Sequence, residues 1–229
     1  MDCFKPIPVH TCGVIQVKIF LDTAEVEQID RRHTGLLSGV TTNPTLIAKS
    51  GRKPDDVYKE IIGLGIKDLS IEVRGEYFDE LISNGLDAAN KYGERATIKL
   101  PTTPDGLKAC KYLTNKDIRV NMTLVFSVSQ AILCSIANAT YVSPFVGRLD
   151  DNGHDGIGLI RDIAKVFMIQ RSQTKILAAS LRSASSAAKC FAAGAHICTL
   201  PPKVFDDMST HVLTDKGLVQ FKQDFDINF

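Results

Sequence analysis

A lysine set among apolar neighbours is the first residue in this chain that could do chemistry. Lys99 stands in the run Ala96 to Pro101, between Ile98 and Leu100, and not in a charged surface stretch. An ammonium group is expensive to bury unless it is paired or gives up its proton. Desolvation disfavours the charged form of a lysine, and a freed amine is a nucleophile toward carbonyl carbon. The competing reading is a lysine that snorkels to water or sits in a buried ion pair.

Such an amine needs groups that move protons onto and off oxygen. Asp22, at the end of the run Val17 to Asp22, and Glu72, in Leu69 to Val73, are the two carboxylates placed to do so. Taken singly, Asp22 could equally cap a helix and Glu72 could pair with a neighbouring cation. Asn43 precedes Pro44 and could be a helix cap. Arg148 and Arg182 could clamp a phosphate with their forked donors, or form surface ion pairs. Thr41, Thr42, Asn121, Thr123, Ser143, Phe145, Ser180 and Thr199 complete the set, mostly as neutral hydrogen-bonding groups.

The elements that would carry these residues alternate. Strand-like runs are Val17 to Asp22, Gly39 to Thr42, Leu69 to Val73, Ala96 to Leu100, Arg119 to Thr123, Thr140 to Phe145, Thr174 to Ser180 and His196 to Leu200. Helical patterns follow them, at Thr23 to Arg32, Pro44 to Ser50 with Pro54 to Gly63, Glu76 to Tyr92, Thr103 to Thr114, Ser127 to Ala137, Asp155 to Gln170, Ser183 to Ala193 and Pro201 to Met208, with a last helix over Gly217 to Asp226. Eight such units predict an α/β fold, a (β/α)8 barrel with an additional C-terminal helix. A doubly wound open sheet is the alternative, but its first βα turn is usually glycine-rich, and Asp22-Thr23-Ala24 is not. In a barrel the polar residues at the C-terminal strand ends meet at one mouth, which is where each candidate above falls. Residues 1–16 lack periodicity and carry Pro6, Pro8 and Gly13. They read as an extension outside the fold, either a disordered segment or a start-site artefact, before a single barrel domain over 17–229.

Composition limits the alternatives. The chain has 229 residues and a formal net charge of +1, so no overall field draws in nucleic acid or an acidic membrane. Low aromatic content, 7% with no tryptophan, gives no base-stacking platform. The six cysteines form no Cys-x-x-Cys pair and read as buried free thiols in a reducing cytoplasm. The five histidines show no metal-ligand spacing. Val120 to Gly147 holds no charged residue, yet Asn121, Gln130, Asn138 and Pro144 interrupt it. It reads as strand, helix and strand, not as a membrane span. The helix Ser127 to Ala137 is uncharged on every face, which predicts that another helix or a partner subunit covers it.

The strand-end residues together resemble the transaldolase family, in particular its short subfamily that includes fructose-6-phosphate aldolase. The segments that carry the resemblance are FLDTA (Phe20 to Ala24), GVTTNPTLI (Gly39 to Ile47), IKLPTTPDGLKA (Ile98 to Ala109), NMTLVFSVSQA (Asn121 to Ala131), YVSPFVGRLDD (Tyr141 to Asp151) and ILAASLR (Ile176 to Arg182). The resemblance implies that Lys99 forms a Schiff base with a ketose phosphate and that no metal or organic cofactor is needed. It implies transfer of a dihydroxyacetone unit from sedoheptulose 7-phosphate or fructose 6-phosphate to glyceraldehyde 3-phosphate or erythrose 4-phosphate, in the non-oxidative pentose phosphate pathway. Asp22 would accept the donor hydroxyl proton, and Glu72 with a water near Thr123 would move protons at the imine. Asn43, Asn121 and Ser143 would hold the dihydroxyacetone hydroxyls, with Thr41 and Ser180 beside them, and Arg148 and Arg182 the phosphate. Aldolase members tend to carry Tyr where Phe145 stands and Gln where Glu72 stands, so the transferase is expected and the aldolase is the alternative, ahead of a non-catalytic barrel scaffold. A cytoplasmic homo-oligomer, a pentamer or decamer, is implied as well.

Overall fold

The computed structural model describes residues 17–228. Among them, eight parallel strands close into a barrel: β1 (Lys18–Asp22), β2 (Leu37–Thr41), β3 (Leu69–Glu72), β4 (Ala96–Pro101), β5 (Val120–Val125), β6 (Tyr141–Pro144), β7 (Lys175–Ala178) and β8 (Ile197–Leu200). β1 pairs with both β2 and β8, so the sheet has no free edge. The helices between strands are α1 (Val26–Arg32), α2 (Pro44–Ser50), α3 (Pro54–Gly63), α4 (Phe78–Tyr92), α5 (Pro104–Thr114), α6 (Val128–Ile136), α7 (Val146–Asp151), α8 (Gly156–Ile169), α9 (Ala184–Ala192) and α10 (Pro202–Asp207); α11 (Val212–Asn228) follows. The extension inferred for residues 1–16 lies outside the described residues.

Side-chain alternation sorts each strand into two faces. Along β4, Ile98 and Leu100 face out and pack with Leu81, Ala109 and Leu113 of α4 and α5. Thr97 and Lys99 face in, where both find polar partners. The outward faces of the other strands, including Leu21, Val40, Ile71, Met122, Val142 and Ile176, join the same large apolar core. Burial of these side chains is the main driving force, at roughly 1.5–3 kcal/mol for each fully buried Leu, Ile or Phe.

The barrel interior is mostly polar and is closed at its N-terminal end. Phe20, Tyr141, Leu177 and Ile197 form a small inner cluster, with the Phe20 and Tyr141 rings edge to face at 6.0 Å. Gly39 makes room for it: a Cβ there would lie 2.6 Å from the Phe20 ring and 2.6 Å from the Asp68 carbonyl. Beside this cluster the Asp68 carboxylate accepts from Thr97 at 2.8 Å, Tyr141 at 2.7 Å and Arg119 at 2.6 Å. A buried carboxylate needs such partners to offset its desolvation. Above this floor, among the described residues, a cavity opens at the C-terminal end of the barrel.

Most element bounds shift by only one or two residues from the sequence reading, and three elements depart further. α1 begins at Val26 and not at Thr23, because the Thr23 hydroxyl accepts from the Glu25 amide at 3.1 Å and holds a turn ahead of the helix. α7 was not expected: its six residues, with Gly147 among them, are too few to show a helical apolar period. α11 begins at Val212, where the Thr214 and Asp215 amides bond to the His211 carbonyl. Gly217, which suggested a boundary, lies inside this helix with open space where its side chain would be. α6 is packed on α5 and α8 along one side, yet Leu133 and Ile136 remain 49% and 67% exposed. Among the described residues, no helix is long and apolar enough to cross a membrane.

Candidate active site

Lys99 stands at the centre of the open end. Parallel register sets Glu72 of β3 beside Lys99 and Lys99 beside Asn121 of β5. Lys99 Nζ lies 3.0 Å from Glu72 Oε2 and donates to the Thr42 carbonyl at 3.1 Å. The ion pair weighed for each residue separately is therefore one pair, made between the two candidates themselves. The Lys99 side chain is 6% exposed and that of Glu72 22%, so the carboxylate is the wetter partner.

Two further chains of hydrogen bonds converge there. The Thr41 hydroxyl donates to Asp22 Oδ1 at 2.7 Å and lies 2.7 Å from the Thr199 hydroxyl. One hydroxyl has one proton, so Thr199 donates to Thr41 and Thr41 to Asp22. Asp22 caps no helix. Burial pushes its carboxyl above the usual carboxylate range, and the Thr41 hydrogen bond and then the Lys99 charge only partly oppose this. The Ser143 hydroxyl donates to Asn121 Oδ1 at 2.6 Å, and Asn121 Nδ2 donates to the Ser70 hydroxyl at 3.2 Å. Asn121 and Ser143 are thus fixed before any ligand arrives. Thr123 is different: its hydroxyl oxygen is buried and meets no hydrogen-bond partner, so it can take a water or a substrate hydroxyl.

The backbone is shaped around these groups. Leu124 has φ of 59° inside β5, where the pairing with β6 shifts register between Met122 and Val125. The Thr102 amide and hydroxyl both bond to the Thr123 carbonyl, at 3.1 and 2.7 Å, and hold the irregularity from the β4 side. Asn43 is the N-cap of α2, its Oδ1 accepting from the Leu46 amide at 2.9 Å, with Pro44 at the first helical position. The capping reading is correct, and Asn43 lines the site too. At the rim the Arg148 guanidinium lies 4.9 Å from the centre of the Phe145 ring, and Phe126 packs against the same ring at 5.8 Å. Arg182 donates to Asp151 at 2.8 Å, an exposed ion pair.

All the candidates except Thr42, whose hydroxyl donates to the Ser70 carbonyl at 2.9 Å, share one cavity of about 410 Å³. It is lined by Asp22, Thr41, Asn43, Glu72, Lys99, Asn121, Thr123, Ser143, Phe145, Arg148, Ser180 and Arg182, with Thr199, Leu124 and Leu177 among the others. Its charged groups fall into two zones. Lys99, Asp22 and Glu72 sit deep, and Arg148 and Arg182 are exposed on the segment from β6 to α7 and after β7. The arrangement can hold a chain of hydroxyls next to a nucleophilic amine and an anion some distance from it. Sequence reasoning missed Ser70, Leu124 and Asp151. Ser70 lies on the inward face of β3 two residues before Glu72, a period that could have marked it. Among the described residues, no three His, Cys, Asp or Glu side chains are grouped so as to hold a metal ion.

Known proteins are similar to this chain. Residues 19–228 match the family described as Transaldolase/Fructose-6-phosphate aldolase. A probable transaldolase from Symbiobacterium thermophilum is 47% identical over 92% of this chain and 97% of its own length. One from Caulobacter vibrioides is 46% identical over 91% of this chain and 96% of its own. A thiamine phosphate pyrophosphorylase from Pyrococcus furiosus superposes with a TM-score of 0.54 at 13% identity, over 81% of this chain and 85% of that one, which is a likeness of fold alone. With the cavity, the order of its strand-end residues and relatives alike along nearly their whole length, the chain belongs to the transaldolase/fructose-6-phosphate aldolase family, a family of enzymes.

Proposed function

We propose that this enzyme transfers a dihydroxyacetone unit between sugar phosphates through a Schiff base on Lys99. The observation that carries the reading is the buried Lys99 amine held 3.0 Å from Glu72, inside a ring of hydroxyl-binding side chains. Lys99 Nζ adds to the ketose carbonyl carbon. Glu72, adjacent to the amine and open to the cavity, moves the protons by which the carbinolamine loses water. A water held at the unpartnered Thr123 hydroxyl would relay them. Asp22 then accepts the proton of the hydroxyl next to the bond that breaks. The bonding pair moves into the protonated imine, which acts as the electron sink in place of a metal or organic cofactor. A carboxyl raised above its ordinary range is a better match to such proton exchange near neutrality than a normal one. An aldose phosphate, glyceraldehyde 3-phosphate or erythrose 4-phosphate, takes up the three-carbon unit by the reverse steps.

Donors in this reading are fructose 6-phosphate and sedoheptulose 7-phosphate, their phosphate held by Arg148 and Arg182. Thr41, Asn43, Asn121, Ser143 and Ser180 bind hydroxyl groups, and Phe145 closes one wall. The phenyl ring of Phe145 offers no hydroxyl to hold a water, which favours transfer over release of free dihydroxyacetone. Incubation with fructose 6-phosphate alone tests this. Rapid accumulation of free dihydroxyacetone would replace the transferase by the aldolase reading. A cytoplasmic site of action and a place in the non-oxidative pentose phosphate pathway belong to the same proposal.

Self-association is part of it too. α6 exposes Leu133 and Ile136, while α11 exposes Leu218 and Phe221. We read these faces as contacts in a ring of five subunits or a pair of such rings. Sedimentation as a monomer would refute this.

A further inference from the structure

We propose that Asp151 is a positioning residue: it holds the outer edge of the Arg182 guanidinium so that the remaining N–H groups stay at the cavity mouth, available to an anionic substrate group. The inference rests on the reading of Arg182 as a phosphate ligand. Three features of the backbone and side chains direct Arg182 to this place. Ser180 has φ of 61°, a left-handed conformation rare for serine, and so turns the chain sharply after β7. Gly147, in the first turn of α7, lies directly under the result. A Cβ at Gly147 would fall 1.9 Å from the Ser180 carbonyl oxygen and 3.1 Å from both Cγ and Nε of Arg182. Glycine is required there by the close approach of the Ser180 carbonyl, and a Cβ would also crowd the Arg182 side chain that lies across the helix. Asp151, four residues after Gly147 and hence on the same helix face, receives the end of that side chain, with Arg182 Nη2 donating to Oδ2 at 2.8 Å.

The division of labour around Asp151 is specific. Asp150 is already engaged, its Oδ1 accepting from the Gly156 amide at 3.0 Å. Arg148 is held elsewhere, over the Phe145 ring. Asp151 itself does not line the cavity, whereas Arg182 does. A guanidinium has five N–H donors, and the bond to Asp151 occupies one, so a phosphate can be met without breaking the pair. The carboxylate therefore limits where a long, exposed side chain goes and does not compete for the anion.

The test uses steady-state kinetics of the full chain, with fructose 6-phosphate as varied donor and inorganic phosphate as inhibitor. For Asp151→Ala and Asp151→Asn we expect KM and the inhibition constant for phosphate to rise together by about two- to fivefold, the worth of an exposed ion pair, with kcat unchanged. Asp151→Glu should restore part of the loss. Unchanged values overturn the proposal, and so does a fall in either constant, which would mean that the carboxylate competes with phosphate. Arg182→Gln separates the two levels of the argument. If it raises neither constant, the phosphate reading of Arg182 and this proposal both fail. If it raises them while Asp151→Ala does not, only the Asp151 role fails. In the Arg182→Gln background, Asp151→Ala should add nothing further; an undiminished effect there would overturn the proposal.

Discussion

Replacing Asp22 by Asn should make the protein more stable near neutral pH while disabling it. The Asp22 carboxyl is pushed up chiefly by burial, so an ionised Asp22 is a net cost to the fold. The magnitude follows from the competing parts. Desolvating a carboxylate costs several kcal/mol, and the asparagine is spared that. Against this, the Thr41 hydrogen bond at 2.7 Å loses its charge assistance, about 1 kcal/mol, and the attraction to Lys99 disappears. The new amide NH2 also needs a partner. A net gain of about 1–2 kcal/mol remains, and its pH dependence has a fixed sign. The folded carboxyl keeps its proton to a higher pH than the unfolded one. The wild type therefore loses stability as pH rises from the unfolded value through the folded value, and is level beyond it. Asn does not titrate, so the advantage of Asp22→Asn should be small near pH 4 and grow as pH rises through the folded value. Urea unfolding followed by circular dichroism measures it, as a midpoint raised by roughly 0.3–1 M at pH 7.5. Activity should fall by about 10²-fold or more, the usual worth of a general base. A variant less stable than wild type at pH 7.5, or a difference independent of pH, would refute the claim that burial dominates at Asp22.

Asn43→Ala removes both a helix cap and a cavity-lining group. It should cost about 1 kcal/mol in urea unfolding and raise KM for the donor; a loss of stability with unchanged KM would leave Asn43 a cap only. Tyr141→Phe takes one of the three donors from Asp68 at the closed end of the barrel. Thermal or urea unfolding should show a loss of about 1–2 kcal/mol, while kcat of the remaining folded enzyme stays within about twofold, since the floor lies away from the open end; a larger loss of kcat would mean that the floor reaches the chemistry.

The barrel was legible because the signal lay in alternation and not in any single strand. β4 shows how far this goes: Ala96 to Pro101 holds an apolar outward face and a polar inward one, and Lys99 stood out by breaking an apolar run. The positions of Asp22, Glu72, Lys99, Asn121 and Ser143 in the cavity then follow from strand ends meeting at one mouth. What stayed hidden depends on partners distant in sequence. The pairing of Glu72 with Lys99 is a matter of register between β3 and β4. Ser70 gains meaning only beside Asn121, which is 51 residues away. α7 escaped because its helix is short and its glycine serves the close approach of the Ser180 carbonyl and not the helix. The left-handed Leu124 and Ser180 carry no local mark, since neither residue type favours that conformation. Asp151 looked like one of two adjacent acids until the fold gave it Arg182.

The central claim is that the Lys99 amine forms the covalent intermediate. Borohydride reduction in the presence of fructose 6-phosphate, followed by mass spectrometry of peptides, tests it most directly. The account predicts a reduced sugar adduct on the peptide containing Lys99 and none in Lys99→Ala. An adduct formed undiminished in Lys99→Ala, or found on another lysine, would contradict it.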